Sequence, residues 1–177
     1  MSATLEKPMS IASSASSSTA QLVTFNSYYT LQNPANANYL SWQSGGFGAA
    51  DQAIIYPTAK DLWFTDPSNT DSDAQIVTGV PVYIVMSAVV HLWLGSGGPE
   101  SEFAQWANLG GEDIEYEWKL YVDENLTPDL PIALGQQPLY IASVAYPGYY
   151  LQQTPNSAYV TIGQTPVAWG MEPEGGQ

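Results

Sequence analysis

The stretch Tyr140-Ile141-Ala142-Ser143-Val144-Ala145-Tyr146-Pro147-Gly148-Tyr149-Tyr150-Leu151 sets a leucine eleven residues after a tyrosine, and the chain does the same twice more. Tyr29 leads to Leu40 and Tyr83 to Leu94, and the residue before each leucine is aromatic: Tyr39, Trp93 and Tyr150. Each unit then closes on a tryptophan, Trp63, Trp118 or Trp169, lying 34, 35 and 29 residues after its tyrosine. A pattern of about 50 residues repeated three times dictates a repeat architecture before any residue is given a role. Function has to be sought where the three units differ.

Within each unit the local chemistry is that of short strands separated by turns. In the first, Tyr28 to Gln32, Tyr39 to Trp42, Gln52 to Tyr56 and Leu62 to Thr65 are rich in aromatic and β-branched residues. They are parted by Asn33-Pro34-Ala35-Asn36-Ala37-Asn38, by Ser44-Gly45-Gly46-Phe47-Gly48 and by Pro57. The second predicts strands over Val82 to Met86, His91 to Leu94, Glu102 to Ala107 and Tyr116 to Val122; the third over Leu139 to Ser143, Tyr149 to Gln153, Ala158 to Ile162 and Val167 to Met171. No segment carries a helical period. Three four-stranded units, about 23–67, 76–123 and 132–174, can close a six-stranded barrel capped by three hairpins, whereas a propeller needs more blades. The fold expected is therefore an all-β β-trefoil, with the repeated Tyr, Leu and Trp positions in symmetric layers of its core.

Composition narrows the partners. The 177 residues, 45% of them hydrophobic, suffice for one domain with a full core, here residues 21–177. Three lysines and no arginine stand against seventeen acids, a net charge of -14, which argues against nucleic acid because phosphate binding rests on cations. No run approaches the ~18 apolar residues that span a bilayer, so no membrane insertion is expected. Cysteine is absent, removing disulfide and thiolate chemistry. Met1 to Ala20 reads as a flexible Ser/Ala-rich leader without the apolar centre of a secretory signal, and a cytoplasmic protein is expected. Nothing in the sequence speaks against an oligomer.

The unit pattern of a tyrosine-bearing first strand, a hairpin ending in aromatic-Leu and a closing tryptophan strand resembles the β-trefoils of fungal ricin-B-like lectins. It is similar as well to the fungal protease inhibitors of that fold, which include the mycocypins. The resemblance covers roughly residues 21–174 and is one of fold. The Gln-x-Trp motif of ricin-B-like lectins is missing at all three closing strands, where Asp61-Leu62-Trp63, Tyr116-Glu117-Trp118 and Val167-Ala168-Trp169 stand instead.

The catalytic inventory is thin. His91, between Val90 and Leu92, is the one histidine, and no Gly-x-Ser-x-Gly elbow supports a nucleophile, so no enzyme activity is expected. Cofactor and metal sites are not expected either. Glycine-rich pieces such as Gly95-Ser96-Gly97-Gly98 lack the Lys-Ser/Thr of a nucleotide loop, and the Asp66 to Asp73 connector lacks the glycine and bidentate glutamate of a calcium hand. Glu112, Asp113 and Glu115, with Glu172 and Glu174, are sequence neighbours rather than acids facing across a cleft.

Binding remains, in two forms. Sugars are held in shallow sites by an aromatic face with amides, carboxylates and hydroxyls around it. The third unit gathers Tyr146, Tyr149, Gln152, Gln153 and Asn156 in one hairpin, and the first offers Asn36, Asn38 and Trp42, with Asn33 beside them. The second hairpin, with Val89, Val90, His91 and Trp93, is more apolar and the weakest of the three. A carbohydrate ligand is thus the first expectation. The alternative, suggested by the mycocypin resemblance, is a protease partner reached by glycine-rich loops such as Phe47-Gly48 or Gly95 to Pro99. Lys7 and Lys119 are poorly placed for a trypsin-like target, so a cysteine protease suits better.

Overall fold

The computed structural model describes residues 20–45, 51–69, 71–87, 91–101, 103–107, 114–135 and 137–173. The leader up to Thr19, the Phe47-Gly48 loop, Val89 and Val90, Glu102, Glu112 and Asp113, and Glu174 lie outside the described residues. Twelve strands lie within them. In the first unit these are β1 (Tyr28–Asn33), β2 (Asn38–Gln43), β3 (Asp51–Tyr56) and β4 (Leu62–Thr65). The second holds β5 (Pro81–Ser87), β6 (His91–Gly95), β7 (Gln105–Ala107) and β8 (Glu117–Tyr121), with a 3-10 turn at Ile114–Tyr116. The third holds β9 (Tyr140–Ser143), β10 (Tyr150–Gln153), β11 (Val160–Gly163) and β12 (Gly170–Pro173).

The first and last strands of the units form a closed ring. β1 pairs with β4, β4 with β5, β5 with β8, β8 with β9 and β12 with β1, all antiparallel. The last gap is closed by Leu139 and Trp169, which exchange two backbone hydrogen bonds of 2.8 Å. Closure leaves no barrel edge exposed. The inner strands make three hairpins, β2–β3, β6–β7 and β10–β11. They grip one another around the threefold axis: Ala53 N donates to Ala104 O (2.9 Å), Ala104 N to Val160 O (2.6 Å) and Ile55 N to Ala158 O (2.7 Å). At the other end the entry segments meet, where Val23 N donates to Ile132 O and Ile76 N to Val23 O, both at 2.9 Å. This is a β-trefoil of three four-stranded units beginning near Val23, Ile76 and Ile132.

Register assigns faces, because side chains alternate along a strand. The inward layer at one level is Tyr29 opposite Leu62, Val82 opposite Trp118 and Leu139 opposite Trp169. At the next level it is Leu31 opposite Met171, Ile84 opposite Phe64 and Ile141 opposite Leu120. All twelve belong to the main core, as do Leu40, Leu94 and Leu151. The inward indoles satisfy their N–H groups on that leucine level, Trp118 donating to Leu94 O (2.8 Å) and Trp169 to Leu151 O (3.0 Å). In the first unit, where Leu62 brings no indole, Trp106 donates its indole N–H to Ser41 O at 3.0 Å.

The expected layers of Tyr29, Tyr83, Tyr140 and of Trp63, Trp118, Trp169 are therefore corrected. Tyr29 is inward but Tyr83 is outward, and Trp63 belongs with Tyr83 and Val85 in a separate cluster outside the barrel. Gln32 pairs with Tyr39, seven residues on, while Val85 pairs with Trp93 and Ala142 with Tyr150, eight residues on. The first hairpin connection is one residue shorter, so the same eleven-residue spacing lands on the opposite face.

On that outer face one row recurs three times across neighbouring strands: Trp63–Val85–Trp93, Lys119–Ala142–Tyr150 and Gly170–Gln32–Tyr39. The first is filled with rings: Tyr28 lies edge-on to Trp63 at 5.5 Å and His91 at 4.9 Å. His91 is thus an exposed residue of β6 beside an aromatic cluster.

Candidate functional site

The third unit is shaped by two proline turns, one between β9 and β10 and one between β10 and β11. At Tyr146-Pro147-Gly148-Tyr149, Tyr149 N donates to Tyr146 O (3.1 Å) and Gly148 has φ 84°, the positive value that a turn of this type asks of its third residue. At Thr154-Pro155-Asn156-Ser157, Ser157 N donates to Thr154 O (3.2 Å) and Asn156 takes the same role at φ 58°. Asparagine tolerates that region better than most residues, and the turn leaves its amide exposed.

The second turn stands against the first unit. Closing the barrel brings the Asn33 to Asn38 connection beside β10, and Gln153 bridges them. Its Oε1 accepts from Asn33 Nδ2 (2.8 Å) and Asn36 Nδ2 (2.9 Å), while its Nε2 donates to Ser157 O (2.6 Å). Asn33 Oδ1 accepts from Ala35 N and Asn36 Oδ1 from Asn38 N, so these amides also fix their own loop. Above the bridge lies a cleft of about 250 Å³ lined by Asn33, Ala35, Gln153, Thr154, Pro155, Asn156 and Val167. Thr154 Oγ1 is buried at its wall without a hydrogen-bond partner, a state that costs free energy until a partner is supplied. No ionisable side chain lines it among the described residues.

Of the residues singled out from sequence, Asn36, Gln153 and Asn156 meet at this joint, and Asn38 adjoins it through the bond to Asn36. The others go elsewhere. Trp42 is half-buried against the main core, opposite Ala53. Tyr149 packs on the core and accepts from Gln164 Nε2 at 3.3 Å. Gln152 lies over Gly163, where any Cβ would collide with its amide. Tyr146 packs between the second and third units, where a side chain at Gly98 would meet its hydroxyl, and its OH donates to Glu115 Oε1 at 3.2 Å. That bond to a carboxylate, with lesser contributions from burial and from the Glu115 charge, raises the phenol above its ordinary range. Sequence reading missed Thr154 and Val167 as parts of the site. Thr154 lies next to Gln153, and the Pro-Asn turn was the signal that could have found it.

Gly95 to Pro99, offered for a protease cleft, is exposed only in part: Gly97 and Pro99 are exposed, whereas Gly95, Ser96 and Gly98 are buried and a Cβ at Gly95 would strike the ring of Tyr116. In the acidic connector Asp66 Oδ1 accepts from Ser68 N (2.8 Å) and Ser68 Oγ (2.6 Å), closing its own turn. Among the described residues no three His, Cys, Asp or Glu side chains gather to hold a metal ion.

No family model matches the sequence, and no curated protein matches it. Solved structures do. Lysenin, seen as a pore, superposes with a TM-score of 0.63 at 10% identity over 88% of this chain and 50% of its own. Lysenin in complex with phosphocholine gives 0.60 at 11% identity, over 88% and 47%. Alocasin, a protease inhibitor from giant taro (Arum macrorrhizon), gives 0.60 at 10% identity, over 86% of this chain and 94% of its own. The chain spans about half the length of lysenin and nearly all of Alocasin. At such identities the likeness is one of fold, and the fold is the β-trefoil shared by these binding and inhibitor proteins.

Proposed function

We propose that this β-trefoil is a non-catalytic carbohydrate-binding protein that holds a neutral sugar ring in the cleft between its first and third units. The observation that carries this reading is the chemistry of the cleft wall: amides of Asn33, Gln153 and Asn156, the Thr154 hydroxyl, and the aliphatic faces of Ala35, Pro155 and Val167, with no ionisable side chain among the described residues. Amides and hydroxyls answer sugar hydroxyls as donors and acceptors at once, and aliphatic carbon covers the C–H face of a ring. The volume of about 250 Å³ is below the roughly 300–1,000 Å³ of drug-sized sites, which suits a single terminal ring. Gln153 is spent on holding Asn33 and Asn36, so it positions the wall, and Asn156 is the amide free to reach a ligand.

A glycan array identifies the sugar, and calorimetry with it tests the cleft. Asn156→Gly removes the amide while suiting the left-handed backbone, so affinity should fall about three- to tenfold with the urea midpoint unchanged. An array without binders, or equal affinity in the variant, removes the reading. Inhibition of papain in a parallel protease panel, together with a blank array, would put the inhibitor reading in its place.

A further inference from the structure

The outer-face row Lys119–Ala142–Tyr150 opens a second hollow, on the boundary of the second and third units. Neighbouring strands lie about 4.8 Å apart, so Lys119 and Tyr150 flank the small Ala142 at roughly twice that spacing and leave a notch between them. The notch has a volume of about 230 Å³, and its walls include Lys119, Tyr121, Leu126, Ala142, Pro147 and Tyr150. In a chain with seventeen acids and three lysines, the described residues lining it include one lysine and no carboxylate.

The side chains among its lining residues that can donate a hydrogen bond are the Lys119 ammonium, the Tyr121 and Tyr150 phenols and the Ser143 hydroxyl. Burial first, then the neighbouring Tyr150, holds the Tyr121 phenol above its ordinary range, so it remains an O–H donor through neutral pH. Ser143, also in the wall, has its Oγ engaged as acceptor from Tyr146 N at 3.2 Å. The donors point to a ligand that brings acceptors and negative charge, while Leu126, Pro147 and the Tyr150 ring offer an apolar surface to whatever carries that charge. We infer that the notch at Lys119 binds an oxyanion, a carboxylate or phosphate borne on a small organic ring, with Lys119 as its counter-ion and Tyr121 and Tyr150 as hydrogen-bond donors. This site is separate from the neutral cleft and stands whether or not that cleft holds a sugar.

Calorimetry of the whole protein with glucuronate, glucose 6-phosphate and glucose tests it, the two charged probes separating carboxylate from phosphate. At least one charged probe should bind roughly tenfold or more tightly than glucose and weaken as salt rises from about 50 to 300 mM. Lys119→Met should abolish binding of that charged probe at an unchanged melting temperature, while Asn156→Gly should leave the charged probe's affinity intact. The inference is overturned if neither charged probe binds up to about 20 mM, or if Lys119→Met binds it as well as the parent protein.

Discussion

The rows Trp63–Val85–Trp93 and Lys119–Ala142–Tyr150 stand one-third of a turn apart on the same barrel, in the same register, and present opposite chemistry. In the first, Trp63 covers a buried Val85, and Tyr28 and His91 lean edge-on against its ring. In the second, a lysine and a tyrosine flank an alanine and leave an opening. The inward neighbours of both rows are alike, since Leu62, Phe64, Trp118 and Leu120 all lie in one apolar core. Threefold architecture thus binds only one face of each strand. The inward face is fixed by a core that all three units share, and the outward face is free to diverge.

The sharpest way to break that comparison is to truncate a tryptophan on each face. Trp118→Ala should cost about 3–5 kcal/mol, for it empties the centre of the barrel and leaves the buried Leu94 carbonyl without its indole donor. Trp63→Ala removes a ring that packs outside the barrel, and about 1.5–3 kcal/mol is expected. Urea denaturation at one pH measures both. A larger cost at Trp63 than at Trp118 would contradict the placement of Trp118 in the shared core and of Trp63 outside it.

A smaller effect belongs to the phenols that cluster near the second row. Tyr121 is raised by burial and then by Tyr150; Tyr140 by burial and then by Glu124, to which its hydroxyl donates at 3.4 Å. A folded-state value above the ordinary 10.0 means that the protonated phenol is favoured by folding. Their contribution is whole below pH 10.0 and is lost as pH climbs through the raised values. Asp123 acts in the opposite sense: hydrogen bonds from Thr127 lower it, so its contribution is present above pH 3.8 and lost as pH falls through the lowered value. Urea midpoints should decline on going from pH 8 towards pH 11, about 10 being the start of the fall, and the decline should be shallower in Tyr121→Phe. An unchanged slope in that variant would remove Tyr121 from the list of groups linked to folding.

The difference between the faces also explains what could be read from the chain. Strands, turns and the three units were legible because period-two alternation and Pro, Gly and Asn turns are local signals. The leucines Leu40, Leu94 and Leu151 were placed correctly, all three in the core. The tyrosine echo misled, since a spacing of eleven was counted through a connection that is one residue shorter in the first unit. Equal distance in sequence then meant opposite faces in space. The neutral cleft was half visible: Asn36, Gln153 and Asn156 were singled out for their chemistry. That they meet was not readable, because Asn33 and Gln153 are 120 residues apart and are joined only when β12 closes on β1. Trp42 and Tyr149, chosen as stacking rings, are half-buried against the core, and how far an aromatic faces in or out depends on register that composition does not carry.

The finest test of the comparison converts one row into the other. Lys119→Trp places an indole over Ala142 as Trp63 sits over Val85, and a notch of about 230 Å³ offers it room. The change removes a charge that makes no ion pair among the described residues and adds apolar surface on a half-buried face, so stability should move by less than about 1 kcal/mol in either direction. Oxyanion binding should vanish, because the ammonium is gone and the space is filled. The two readouts separate the possible outcomes: a stable variant that no longer binds makes the rows interchangeable in the fold and distinct only in ligand chemistry. A loss of several kcal/mol would mean instead that the second row is shaped by Lys119 itself, and that its difference from the first is built into the barrel rather than laid upon it.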